Sequence, residues 1–321
     1  MIARILRFGA CRQISCVALV CATLAWSVCS PLMASGLPAL KISPIDPGSR
    51  GTCSHEEAKP TEHFDHVLTV VLENQDYDKA KGCLSDLVKT YGGRSFGKSW
   101  GLFHHSYPNY LAMVGGQLFP EVSKLNSDQK VDLAEPSIAD TLTAKGLTWK
   151  NYAENYPGPC KDDTTLYAQR HVPFLSFVSV RKHGLQVVDA ADFSHDVSRA
   201  DFPRYAFYSP NKKNDGHDSS LATACGWVTK FLKGIPAERW NDTLVIVTFD
   251  EAAGDEASNN HIATVFLGKL VKNAPEEIQQ PYNHYNVLRT IEDNFGLKPL
   301  ADGDCAALPI TGIWTKGDPN R

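Results

Sequence analysis

Apolar positions along the chain fall into two kinds of run. His66–Leu72 (HVLTVVL) and Thr243–Phe249 (TLVIVTF) are nearly unbroken and rich in Val, Ile and Leu. Such runs read as strands buried on both faces of a parallel sheet. Tyr205–Ser209, Leu147–Tyr152 and Ile262–Leu267 read as further strands. Helical spacing marks Lys79–Tyr91, where Leu84, Leu87 and Val88 share a face ahead of Gly92-Gly93. It recurs in Ser137–Ala144, in Leu221–Leu232, and in Asn283–Phe295 with its stripe of Val287, Leu288, Ile291 and Phe295. Strands alternating with helices predict an α/β fold around a mainly parallel sheet.

The first 34 residues fall outside that pattern. Arg4, Arg7 and Arg12 precede an uncharged apolar stretch, Ile14–Cys29, and the small residues Ala34, Ser35 and Gly36 follow. This is the layout of a secretory signal, and the stretch is short for a membrane span. Residues 1–34 are therefore expected to be a signal peptide, 35–64 an extended Pro- and Gly-rich leader, and 65–321 one domain. Loss of three arginines moves the formal charge from −4 to −7. A mildly acidic chain argues against nucleic acid as a partner. Nothing after residue 34 predicts a stable membrane anchor, so a secreted or periplasmic location is expected. Cys53, Cys83, Cys160, Cys225 and Cys305 lie beyond the signal, and an exported chain is expected to form disulfides.

The chemistry gathers at strand ends. Glu73 and Asn74 follow the first apolar run, and Asp250 and Glu251 follow the second. In open α/β sheets ligands bind beyond the carboxyl ends of the strands. Adjacent carboxylates repel unless a cation lies between them, and such an oxygen set suits a hard divalent ion. Ser106 lies in HHSYPNYLAMVGG (104–116), where Pro108 predicts a first helical turn and Gly115-Gly116 its end. That places Ser106 just ahead of a helix N-terminus, which favours an anion. A rival serine, Ser95 in GRSFG (93–97), fits the elbow of α/β-hydrolases in letters only. A helical segment precedes it and a polar loop is expected after it, whereas the elbow needs strand then helix. No Walker or dinucleotide motif occurs. His217 in NDGHD (214–218), His261 and His284 each stand at an element boundary and read as phosphate donors, proton donors or ligands. His171, in RHVPF, is a weaker candidate, while His55, His63, His183 and His195 read as surface residues.

These motifs, in this order, resemble the phosphoesterase family of bacterial acid phosphatases and phospholipases C within the alkaline-phosphatase-like superfamily. The resemblance runs from about Asp65 to Leu297 through VLEN (71–74), HHSYPNYLAMVGG, YAENYPGPC (152–160), NDGHD, TFDE (248–251), HIATVFLG (261–268) and NHYNVLRTIEDNFGL (283–297). It implies a three-layer α/β/α sandwich. It also implies one divalent metal held by Glu73, Asn74, Ser106, Asp250 and Glu251, with Ser106 as nucleophile. Asn74, His217, His261 and His284 would bind the phosphoryl group, and His261 or His284 would protonate the leaving alkoxide. Lys212-Lys213 and Ser219-Ser220 stand where the family has cysteines flanking its NDxHD loop, and a Cys160–Cys225 disulfide is the pairing expected instead. The sulfatase signature C-x-P-x-R is absent.

The expected activity is hydrolysis of small phosphate monoesters through a phosphoserine, best at acid to neutral pH. A phospholipase C using the same groups is the alternative. The reading from another class is an exported protein that binds metal or phosphate without turnover.

Overall fold

A computed structural model describes residues 51–123, 130–159, 161–253 and 259–316. The expected signal, the first part of the leader and Cys160 lie outside the described residues. Eight strands form one sheet: β1 (His66–Leu72), β2 (Gly93–Trp100), β3 (Trp149–Ala153), β4 (Val187–Asp189), β5 (Tyr205–Ser209), β6 (Thr243–Phe249), β7 (His261–Leu267) and β8 (Tyr282–Asn283). Their order is β4-β3-β5-β1-β6-β7-β2-β8. β7 runs antiparallel to both β6 and β2, and the other pairings are parallel.

The two apolar runs occupy the centre, and every residue of β1 and β6 is buried. Their side chains alternate between two cores. Val67 and Val71 face one with Leu244 and Ile246. Leu68, Val70 and Leu72 face the other with Val245, Val247 and Phe249. Helix α1 (Tyr77–Tyr91) covers the second face through Ala80, Leu84 and Leu87, beside Val228 and Leu232 of the Leu221–Lys233 helix. Helix α2 (Ser106–Gly115) and the His284–Phe295 helix cover the first. The result is the expected α/β/α sandwich. Each fully buried Val or Leu contributes about 1.5–3 kcal/mol relative to exposure, which explains why these runs take the interior.

Register places the site. β1 and β6 pair from His66↔Thr243 to Leu72↔Phe249. The next residue of each strand, Glu73 and Asp250, therefore leaves the sheet at the same level, and the Asp250 N–H donates to the Leu72 carbonyl at 3.0 Å.

Three local expectations change. Gly93–Trp100 is a strand paired antiparallel with β7, and it continues where a polar loop is expected after Gly97. Cys225 is bonded to Cys83, not Cys160, because α1 and the Leu221–Lys233 helix lie side by side on one face. The second disulfide joins Cys53 to Cys305. His63 is buried, stacked on Trp314 with its Nδ1 2.7 Å from the Lys316 carbonyl. Residues 51–64 carry no helix or strand and are tied to the C-terminal part by that disulfide and by Asn294, whose Oδ1 accepts from the N–H groups of His63 and Phe64.

Candidate active site

Helix α2 begins at Ser106 itself, one residue earlier than the sequence suggests, with His105 as its N-cap. Asn109, fully buried, holds the turn in front of it. Its Oδ1 accepts from Leu102 N–H at 2.8 Å and Phe103 N–H at 3.1 Å, and its Nδ2 donates to the Phe103 and His105 carbonyls. Asn260 ties the acidic loop to the same turn: its Oδ1 accepts from Ala252 N–H and its Nδ2 donates to the Phe103 carbonyl.

The Ser106 hydroxyl lies 2.9 Å from Glu73 Oε2, 3.1 Å from Glu251 Oε1 and 3.3 Å from the Asn74 amide oxygen. Asn74 adopts the left-handed conformation, φ 49°, and its N–H donates to Asp250 Oδ1 at 3.2 Å. All five expected metal ligands are thus brought together from three elements. Glu73 and Asp250 are wholly buried. Burial, then the neighbouring Asp250 and Asp215, raises the Glu73 pKa; burial, then Glu251, raises that of Asp250.

This donor set suits a divalent cation. Asp250 Oδ2 is buried and meets no hydrogen-bond donor among the described residues. The Asn74 amide oxygen faces only acceptors, whereas the amide turned over donates to Glu251 Oε1 at 3.2 Å and Glu73 Oε2 at 3.3 Å. A cation among these oxygens makes the first orientation favourable and offsets the crowded negative charge.

A second cluster adjoins the first. The donor atoms of Glu73, His171 and Asp215, all buried, lie within 4.8 Å of one another, close enough to hold a metal ion. Cys53, His55 and Cys305 are as close, but both cysteines are bonded to each other.

Residues 94–298 match the model of the Phosphoesterase family. The chain belongs to the phosphoesterase family. It is 33% identical over 275 residues to a probable acid phosphatase of Kluyveromyces lactis, covering 78% of this chain and 63% of that one. It is 33% identical over 265 residues to the phosphatidylinositol-3-phosphatase of Mycobacterium tuberculosis, covering 80% and 84%. An acid phosphatase of Aspergillus fumigatus is 29% identical over 260 residues, covering 76% and 58%. The chain therefore spans 63% and 58% of the length of these two fungal relatives. An alkaline-phosphatase-superfamily protein of Vibrio parahaemolyticus superposes with a TM-score of 0.53 at 12% identity, covering 86% of this chain and 74% of that one, which shows the shared fold.

The expected histidines do not all reach Ser106. His217 lies at the mouth of the second cluster, its ring 5.9 Å from that of His171. Its Nδ1 is 2.6 Å from Asp218 Oδ1, and its Nε2 is 3.2 Å from an Arg170 nitrogen. His261 is sandwiched between Tyr77 and Trp100, with Nε2 on the Gly97 carbonyl at 3.0 Å. No described contact links it to Ser106. His284 is 3% exposed and its Nε2 lies 2.6 Å from the Asp250 carbonyl. It buttresses the acidic loop from inside the protein, where a leaving group has no access. The residues that sequence reasoning passed over are His104, whose Nδ1 is 3.0 Å from Glu251 Oε2, together with Asp215 and Arg170. The His104-His105 doublet beside the serine was the available signal for the first. Asp215 sat inside the NDGHD motif without a role.

The burial of His284 carries a pH prediction. Desolvation lowers its pKa from 6.5 to about 4. The folded value lies below the unfolded one. Neutral His284 therefore contributes stability that is fully present above about pH 6.5 and is lost as pH falls toward 4. The full span is worth about 3 kcal/mol. His284→Gln is expected to flatten the fall in urea midpoint between pH 6.5 and 4. An unchanged pH slope in the variant would remove His284 from that role.

Proposed function

We propose that this chain is an exported, metal-dependent phosphoester hydrolase acting on small phosphate monoesters through a phosphoserine on Ser106. The observation that carries this reading is the Ser106 hydroxyl at the first turn of α2, within 3.1 Å of two buried carboxylates from different strands. The family membership and the phosphatase names of its relatives support the same class of chemistry.

Glu73, Asn74, Ser106, Asp250 and Glu251 are the residues that would hold one divalent cation. When bound there, a divalent cation supplies Lewis-acid stabilisation and favours the alkoxide form of the serine. The chain supplies the rest. Glu73 Oε2 and Glu251 Oε1 orient the Ser106 hydroxyl and receive its hydrogen bonds. The α2 N-terminus, at Ser106, would favour the negatively charged phosphoryl oxygens. The Ser106 proton passes to Glu73 Oε2, 2.9 Å away, Oγ attacks phosphorus in line, the ester P–O bond breaks, and the leaving alkoxide takes a proton. His104, partly exposed and braced by Glu251, is the group placed to give it, in preference to His261 and His284. Water then releases phosphate from Ser106. Arg170 and His217, 3.2 Å apart beside His171, are assigned to the incoming phosphoryl group.

Export is supported by two disulfides, which persist in oxidising compartments. No helix among the described residues is long and apolar enough to cross a membrane. Among the described residues Leu308 is the single exposed large hydrophobic side chain. A lipase needs an apolar or basic element to meet a bilayer, so soluble monoesters are favoured over phospholipid diesters. The test compares kcat/KM for p-nitrophenyl phosphate, bis-p-nitrophenyl phosphate and a choline phospholipid in micelles, with added Mg2+ or Mn2+, from about pH 4 to 10. The monoester is expected to lead by at least about tenfold, with its maximum at acid to neutral pH. Preference for either diester would move the chain to the phospholipase branch, and no turnover of any ester would favour a binding protein.

A further inference from the structure

Glu73 is asked to do two things in this reading: hold a cation and orient the nucleophile. Both require its carboxylate to keep one rotamer while wholly buried. Its Oε2 faces Ser106, and its Oε1 packs 3.2 Å from His171 Nε2 without hydrogen-bond geometry. The other nitrogen of that ring, Nδ1, lies 3.1 Å from Asp215 Oδ2. Asp215 is fixed in turn: its Oδ1 accepts from His217 N–H at 2.8 Å, and its carbonyl accepts from Glu73 N–H at 2.9 Å. The three residues thus close a ring of contacts, Glu73 to His171 to Asp215 and back to Glu73. They come from the end of β1, from the turn Gln169–His171, and from the loop after β5.

The imidazole is held from every side. It stacks on Tyr110 at 5.1 Å, with planes 3° apart, one helical turn along α2 from Ser106. The His171 carbonyl accepts from Ser209 Oγ at 2.6 Å, and Ser209 Oγ accepts from Asn151 Nδ2. Glu73 Oε1 meets no hydrogen-bond donor among the described residues, so the ring holds the carboxylate by close packing and by the Glu73 N–H bond to the Asp215 carbonyl.

We propose that His171 and Asp215 are positioning residues that lock the Glu73 carboxylate toward Ser106 and the cation, an inference that rests on the function proposed above. A ligand carboxylate braced by an outer histidine binds its metal more tightly, because no rotamer freedom is lost on binding. The alternative is that His171 itself ligates a second cation with Glu73 and Asp215. The same three groups lie close enough to share one ion, so the two roles are separated by the number of ions bound.

The test uses Mn2+ alone. Equilibrium dialysis without substrate is run on the wild type, His171→Ala, His171→Gln and Asp215→Asn. The half-saturating Mn2+ concentration is expected to rise about 10–100-fold in His171→Ala. His171→Gln, which keeps a donor near the Nε2 position, is expected to fall between it and the wild type, and Asp215→Asn to shift in the same direction. A merely structural role would lower the melting temperature in EDTA and leave half-saturation where it is. Half-saturation within about twofold of wild type in folded His171→Gln and Asp215→Asn overturns the proposal, whether or not His171→Ala folds. Two ions in the wild type and one in the His171 variants would overturn it in favour of a ligand role. A wild type that binds no Mn2+ would overturn the underlying reading of the site and this inference with it.

Discussion

Ser106→Ala is expected to fold, to retain most of its affinity for a divalent cation, and to lose hydrolysis by on the order of 10^4-fold or more in kcat. The size follows from what the hydroxyl does. Among the described residues it is the one nucleophilic group in contact with Glu73, Asn74 and Glu251, and it stands at a helix N-terminus where the attacked phosphoryl group would be stabilised. The fold is expected to survive because removing a hydroxyl from the first helical residue leaves the Asn109 clamp and the α2 core contacts unchanged. Cation affinity is expected to survive because four oxygen-bearing residues remain. The check is steady-state hydrolysis of p-nitrophenyl phosphate beside a cation titration. Ser95→Ala is the control: Ser95 lies on β2, paired with Val265, and its loss should leave turnover near wild type. Wild-type-like turnover by Ser106→Ala would reverse the assignment.

The second large effect concerns Asp250 and Glu73. Each is wholly buried, and each has a pKa raised by burial and by neighbouring carboxylates. Without a cation these charges oppose one another. Asp250→Asn or Glu73→Gln removes one of them, so the chelated protein is expected to keep or gain melting temperature. With a cation at about 100 times its Kd the wild type should gain roughly 2.7 kcal/mol, a rise of roughly 5–10 °C for a domain of this size. Both variants are expected to lose that rise, bind less than about a tenth of an ion per chain under the same conditions, and lose activity with it. Metal analysis and thermal scans with and without EDTA make the comparison. A rise that persists in both variants would show that the cation sits elsewhere.

Much of this could be read from the chain before any coordinates. β1 and β6 announce themselves as unbroken apolar runs, because a strand covered by helices on both faces needs no polar alternation. The carboxylates at their ends follow directly, since chain that leaves a buried strand arrives at the sheet edge where ligands collect. Ser106 was visible from its neighbours, a proline within the first turn and a glycine pair at the end of the helix.

Other features depended on partners far away in sequence. GRSFGKSW is too polar and glycine-rich to read as a strand, yet it forms β2 because β7 offers it an antiparallel edge. His171, Asp215 and His104 carry only weak local signs: a loop histidine, a place in NDGHD and a histidine doublet beside the serine. Their place around Glu73 and Glu251 exists only because sheet order brings the ends of β1, β5 and β6 together. His284 and His261 stood at boundaries that looked open, but packing turned one inward onto the Asp250 carbonyl and enclosed the other between two aromatic rings. Cys225 took Cys83 as its partner for the same reason, two helices sharing one face. Periodicity and turn chemistry act over a few residues, so the sequence by itself determined the elements and the acidic strand ends. Which polar side chain meets which is set by register and layer, and that only the tertiary structure decided.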